Sequence, residues 1–100
     1  MKEQLYYVYI IANATRILYT SLTSNIHQRV WKHKNKSLDG FTSHFHVCRL
    51  VYLESFDDVR RAIDREKQIK RWRREKKINL SEMRNPNWQD LSDGWYDHIK

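Results

Sequence analysis

Five side chains in this chain have the chemistry to hold a phosphate or move a proton: Tyr9, Tyr19, Arg29, His33 and Glu66. A phenol has a pKa near 10, and a neighbouring cation or metal lowers it, so either tyrosine hydroxyl can orient or deprotonate a water. The plain alternative is a pair of ordinary strand aromatics. The planar fork of Arg29 matches two phosphate oxygens, although a lone arginine more often serves as a surface charge. His33 is a proton carrier or simply a half-buried imidazole. Glu66 falls on an apolar helical stripe, where an unpaired carboxylate is costly, so it needs a cation. That cation is Arg29 or a nearby lysine in an ion pair, or a hard divalent ion held by one carboxylate with water and phosphate oxygens.

These residues have to be positioned by regular elements. Leu5 to Ile11 is dense in aromatic and β-branched types and reads as a strand, with Tyr7 and Tyr9 on one face and Tyr6, Val8 and Ile10 on the other. Asn13 to Arg16 is a polar link of hairpin length, and Ile17 to Leu22 alternates as a second strand. Tyr9 and Tyr19 are thus expected on neighbouring antiparallel strands. Thr23, Ser24 and Asn25 are N-cap types, and a helix is predicted from about Asn25 to Lys36. On it Arg29 and His33 fall within about 60° of Ile26, at the edge of the apolar face shared with Val30. Residues 37–48 read as a loop, and 50–56 as a third strand. Asp57 and Asp58 start a second helix whose stripe runs through Val59, Ala62, Ile63, Glu66 and Ile69 or Lys70, with Asp64, Arg65, Lys67 and Gln68 outward. The basic run from Lys70 to Lys77 is read as a break followed by a third short helix to about Met83, ended by Asn85-Pro86.

Composition narrows the function. The 100 residues carry a net charge of +7, with 40% apolar residues, two Gly, one Pro and one Cys. That is one small folded domain, with a core over about 4–83 and a tail over 84–100. The charge points to a polyanion. No apolar run reaches the ~20 residues that span a bilayer, and the basic run lacks the sustained apolar face of a membrane-surface helix. A single Cys48 suits a reducing, cytoplasmic setting, and the common paired zinc-ligand patterns are missing. Arg71, Arg73 and Arg74, around Trp72, are the expected contacts to a phosphate backbone.

In order and spacing these residues resemble the GIY-YIG nuclease superfamily, especially its small stand-alone UPF0213 group. The likeness rests on Tyr7-Val8-Tyr9, Tyr19-Thr20-Ser21, Arg29, His33 and Glu66. It is extended by 40–42 (Gly-Phe-Thr), 50–52 (Leu-Val-Tyr), 65–72 (Arg-Glu-Lys-Gln-Ile-Lys-Arg-Trp) and 85–91 (Asn-Pro-Asn-Trp-Gln-Asp-Leu). The resemblance implies an α+β fold, a small three-stranded antiparallel sheet flanked by helices. It also implies an endonuclease that hydrolyses DNA phosphodiesters with one Mg²⁺ or Mn²⁺ on Glu66 and no small-molecule cofactor. Tyr9 and Tyr19 would then be the motif tyrosines, Arg29 the clamp on the phosphorane, and Asn85 the late asparagine on the nucleic acid, with Asn79 and Asn87 as other choices. The substrate would be branched, nicked or single-stranded DNA, in repair or recombination. Thr20-Ser21 departs from the motif's Ile-Gly, and a glycine needed for positive φ at position 21 would make serine cost roughly 1–2 kcal/mol. The competing function is a nucleic-acid-binding module on the same fold that has lost catalysis.

Overall fold

The computed structural model describes residues 4–35 and 45–97. Most of the loop expected over 37–48, the Gly-Phe-Thr of 40–42 and the Lys36 end of the first helix lie outside them. The elements follow the order β1 (Tyr6–Ala12), β2 (Leu18–Thr23), α1 (Ile26–Lys34), β3 (Arg49–Phe56), α2 (Val59–Lys70) and α3 (Arg74–Arg84). The fold is α+β: one antiparallel sheet in the order β2-β1-β3, with helices on both faces.

The central strand decides the rest. Val8 through Ala12 are all fully buried, because β1 has a neighbour on each side and a layer on each face. Strand alternation sends Tyr9 and Ile11 to one face, where they meet Ile26, Val30, Val47 and Leu50. Val8, Ile10 and Ala12 go to the other, against Ala62, Ile69 and Trp88. So α1 covers the face of Tyr9, and α2 covers the opposite face. Local chemistry sets the junctions. Asn13 Oδ1 accepts from Thr15 N, Thr15 Oγ1 and Ile17 N, closing the β1–β2 turn, while Arg16 takes φ 62°. Asn25 Oδ1 accepts from Gln28 N and Asp58 Oδ1 from Arg60 N, each a side-chain cap worth about 1 kcal/mol.

The α2 stripe keeps Ala62 and Ile69 inward as expected and departs at Val59 and Arg65. Val59 is 40% exposed, and the buried positions are Ala62 and Ile69. Arg65 turns inward: its Nε donates to Glu54 Oε2 at 3.2 Å, and its guanidinium lies 5.3 Å from the Trp72 ring centroid. Glu54 sits beside Val8 in the ladder, on the face that α2 covers, so the ion pair draws Arg65 toward the sheet.

The tail closes β3. Leu91 N donates to Leu50 O at 2.7 Å, Asp90 Oδ1 accepts from Leu50 N at 3.2 Å, and Arg84 donates to Leu53 O at 3.3 Å. Asn85 is the key of this closure. Its Nδ2 donates to Val51 O at 3.2 Å and Gln89 O at 2.8 Å, and its Oδ1 accepts from Gln89 N. Replacing Asn85 by Ala strands buried backbone groups and should cost about 2–3 kcal/mol in urea unfolding, whereas Asn87→Ala, at an exposed position, should stay within about 0.5 kcal/mol. Equal effects would remove the structural role.

Candidate active site

Three elements build the site. β1 and β2 present Tyr9 and Tyr19 on the same face, and α1 lays Arg29 and His33 over them. In the ladder Tyr9 stands opposite Ser21, and Tyr19 opposite Ile11, so the two phenols are diagonal neighbours. His33 is buried, with 4% exposure, and joins both rings. Its Nε2 is hydrogen-bonded to Tyr9 Oη at 2.9 Å. Its ring centroid lies 5.8 Å from that of Tyr9 and 5.9 Å, edge-on, from that of Tyr19. Whichever nitrogen carries the proton, Nδ1 has no hydrogen-bond partner among the described residues.

The electrostatics of Tyr9 run opposite to the expectation that a nearby cation lowers a phenol. Burial pushes its pKa up to about 12, outweighing the Ser21 hydroxyl and the Arg29 cation, which pull it down. Tyr9 has no exposed surface at all. It is therefore a protonated donor at any working pH, and the half-buried Tyr19 is the phenol that solvent can reach. His33 is pushed down to about 4 by burial first and by Arg29 second. It is neutral at pH 7, which leaves Arg29 the sole cation of the four.

The motif departure at Ser21 carries no backbone strain. Among the described non-glycine residues, φ is positive only at Arg16, His46 and Trp88. Ser21 is a regular ladder residue whose hydroxyl lies beside the Tyr9 oxygen. Its neighbour Thr20 faces the α2 layer, opposite Ile10, with its Oγ1 buried and without a partner among the described residues.

The remaining predicted residues lie elsewhere. Glu66 is on α2, the layer across the sheet, and pairs with Lys70 Nζ at 3.2 Å, one turn along, rather than with Arg29. The Glu-x-x-x-Lys spacing was the signal for that partner. Arg71 caps α2, Arg73 occupies the N-cap of α3 without a side-chain cap bond, and Arg74 begins α3; all three are exposed. Asn85, expected on the nucleic acid, is 5% exposed with its amide engaged in the β3 closure.

The depressed pKa of His33 makes stability depend on pH. Between about 4 and 6.5 the unfolded chain binds a proton that the folded chain refuses, so stability rises with pH through this window and is lost as pH falls. The His33 contribution should amount to about 2–3 kcal/mol between pH 7 and pH 4. Melting temperatures of the wild type and His33→Gln across this range check it: the wild type should fall more steeply, and parallel curves would count against a buried neutral imidazole.

Comparison with known proteins agrees with this fold. The model of the GIY-YIG catalytic domain matches residues 5–79. A UPF0213 protein of Staphylococcus saprophyticus is 36% identical over 75 residues, covering 75% of this chain and 92% of that protein. One from Haloquadratum walsbyi is 36% identical over 77 residues, covering 77% and 86%. The solution structure of a UPF0213 protein from Bacillus halodurans shares the fold, with a TM-score of 0.57, 24% identity, and coverage of 90% of this chain and 97% of that one. Matched over most of its length, the chain belongs to the GIY-YIG catalytic-domain family, within its UPF0213 group.

Proposed function

We propose that the protein is a divalent-metal-dependent endonuclease that hydrolyses DNA phosphodiester bonds. The observation that carries this reading is the convergence of Tyr9, Tyr19, Arg29 and His33 on one face of the sheet, bound through a buried Tyr9–His33 hydrogen bond. Tyr19, the accessible phenol, orients the attacking water. Arg29 holds the phosphate oxygens, and its charge offsets what develops on the phosphorane. Tyr9 touches neither; it fixes the His33 ring on which Tyr19 packs.

Glu66 suits the metal by the chemistry of its donors. It is a hard oxygen ligand with 17% side-chain exposure, and its partner Lys70 is half exposed and able to turn to solvent. No group of three or more His, Cys, Asp and Glu able to hold an ion exists among the described residues, so an ion on Glu66 takes most of its ligands from water and phosphate, as Mg²⁺ does. When bound, Mg²⁺ or Mn²⁺ would supply charge for the leaving oxygen.

The elbow at Arg71–Arg74 supports a DNA partner. A cation at an uncapped helix N-terminus opposes the helix dipole by a few tenths of a kcal/mol, so Arg73 and Arg74 do not help the fold. Facing outward, they suit a phosphate backbone. No described helix is long and apolar enough to cross a membrane. A role in DNA repair or recombination, in the cytoplasm, fits this reading.

Incubation with branched, nicked and single-stranded DNA should give cleavage that requires Mg²⁺ or Mn²⁺ and falls about a hundredfold or more in Tyr19→Phe and Arg29→Ala. Tight, metal-independent binding without cleavage would instead identify a module that has lost catalysis. Glu66→Gln should leave the metal-free fold within about 0.5 kcal/mol of wild type, because an i,i+4 pair with a half-exposed lysine is worth little. Mn²⁺ should raise the melting temperature of the wild type only. An equal Mn²⁺ shift in both would remove Glu66 from the site. DNA affinity should also fall steeply with salt, and replacing Arg71, Arg73 and Arg74 by Ala should reduce the log–log slope by about 3. An unchanged slope would exclude the elbow from the contact surface.

A further inference from the structure

The helix that carries Arg29 and His33 is nine residues long, too short to hold its shape alone in water. Ile26, Val30 and His33 anchor its inner side. The C-terminal segment, beyond the part matched by the family model, grips it at both ends. At the far end Lys34 Nζ donates to the Asp90 carboxylate and to Cys48 O at 3.2 Å. The same carboxylate accepts from Leu50 N and from Ser92 N and Oγ, so it is fixed to the sheet before it receives the lysine. At the near end Tyr96 Oη donates to His27 O at 2.6 Å, and the Trp95 ring lies on the His27 ring with centroids 4.3 Å apart. Lys34 directly follows His33, and His27 stands two residues before Arg29.

We propose that this segment is a strap in which Asp90, Trp95 and Tyr96 are positioning residues of the active site, setting α1 against the sheet so that Arg29 and His33 meet Tyr9 and Tyr19. Its kinetic consequence rests on the nuclease reading; its geometry does not. The strap contributes no group to the phosphate. It fixes where α1 lies, and a displacement of about 1 Å at a reacting group can cost a hundredfold in rate.

The test uses the full chain in three forms: wild type, Tyr96→Phe, and Asp90→Asn. Tyr96→Phe removes one hydroxyl and keeps the ring; Asp90→Asn keeps the acceptor oxygen and removes the charge, so both should fold. For each, thermal melting, the DNA dissociation constant, kcat, and the NMR titration of the His33 ring are measured. Expected are small losses in melting temperature, DNA affinity within about twofold of wild type, and kcat lowered about ten- to a hundredfold. The His33 midpoint should also move upward from about 4 as the ring loses its setting. Unchanged kcat and unchanged His33 titration in both variants would overturn the strap. If the wild type cleaves no DNA, the nuclease reading fails while the His33 titration still decides the strap: a shifted midpoint supports it, and an unshifted one refutes it.

Discussion

A hydrogen bond between two neutral side chains, Tyr9 and His33, sits where water does not reach, and the site depends on it. A buried phenol without a partner costs on the order of 1–3 kcal/mol, as does a buried imidazole nitrogen, so each holds the other in place. The bond ties the central strand to α1 and fixes the spacing between the phenols and the guanidinium. Burial keeps both partners neutral, which is why a tyrosine and a histidine share an apolar core with Ile11, Ile26 and Val30 without a counter-ion.

The arrangement of layers follows from having only three strands. The single central strand must be apolar on both faces, and Val8 to Ala12 meet that demand. Each outer strand then has one neighbour and one open side. Asn85, Asp90 and Leu91 cover β3, while β2, which carries Tyr19 and Ser21, has no strand beyond it among the described residues. Tyr19 and Ser21 therefore stand on the outer strand away from the closure, and Asn85 and Asp90 on the closed side. Glu66 belongs to the opposite layer, on a helix packed against β2 as well as β1.

Much of this was legible in the residues themselves. Period-two alternation gives the three strands and the faces of Tyr9 and Tyr19, and cap types place the starts of α1 and α2. The spacing of Ile26, Arg29, Val30 and His33 shows that a cation and an imidazole look inward. The pKa of Tyr9 was not legible, because its burial comes from α1 lying across it, a distant contact. The helical wheel turns Arg65 outward because local spacing carries no information about Glu54 on another strand. The double duty of Asn85 and Asp90 is equally remote, since their partners at 50, 51 and 34 lie far back in the chain. Trp88, with φ 54°, is held in that backbone state by burial and by its Nε1 bond to Glu82, neither of which local propensity reports.

The covered edge of β3 bears on how copies of the chain can meet. A strand with unsatisfied backbone groups is a template on which a neighbouring polypeptide can add itself, and the sheet of one molecule can grow into that of the next. Here the β3 flank is closed by side chains of Arg84, Asn85 and Asp90 and by the Leu91 backbone, so among the described residues β2 is the strand left with an unpaired edge. Undoing the closure at Asn85 would bare the Val51 carbonyl on that edge, which makes this asparagine a shield of the sheet as well as a fastener of the fold.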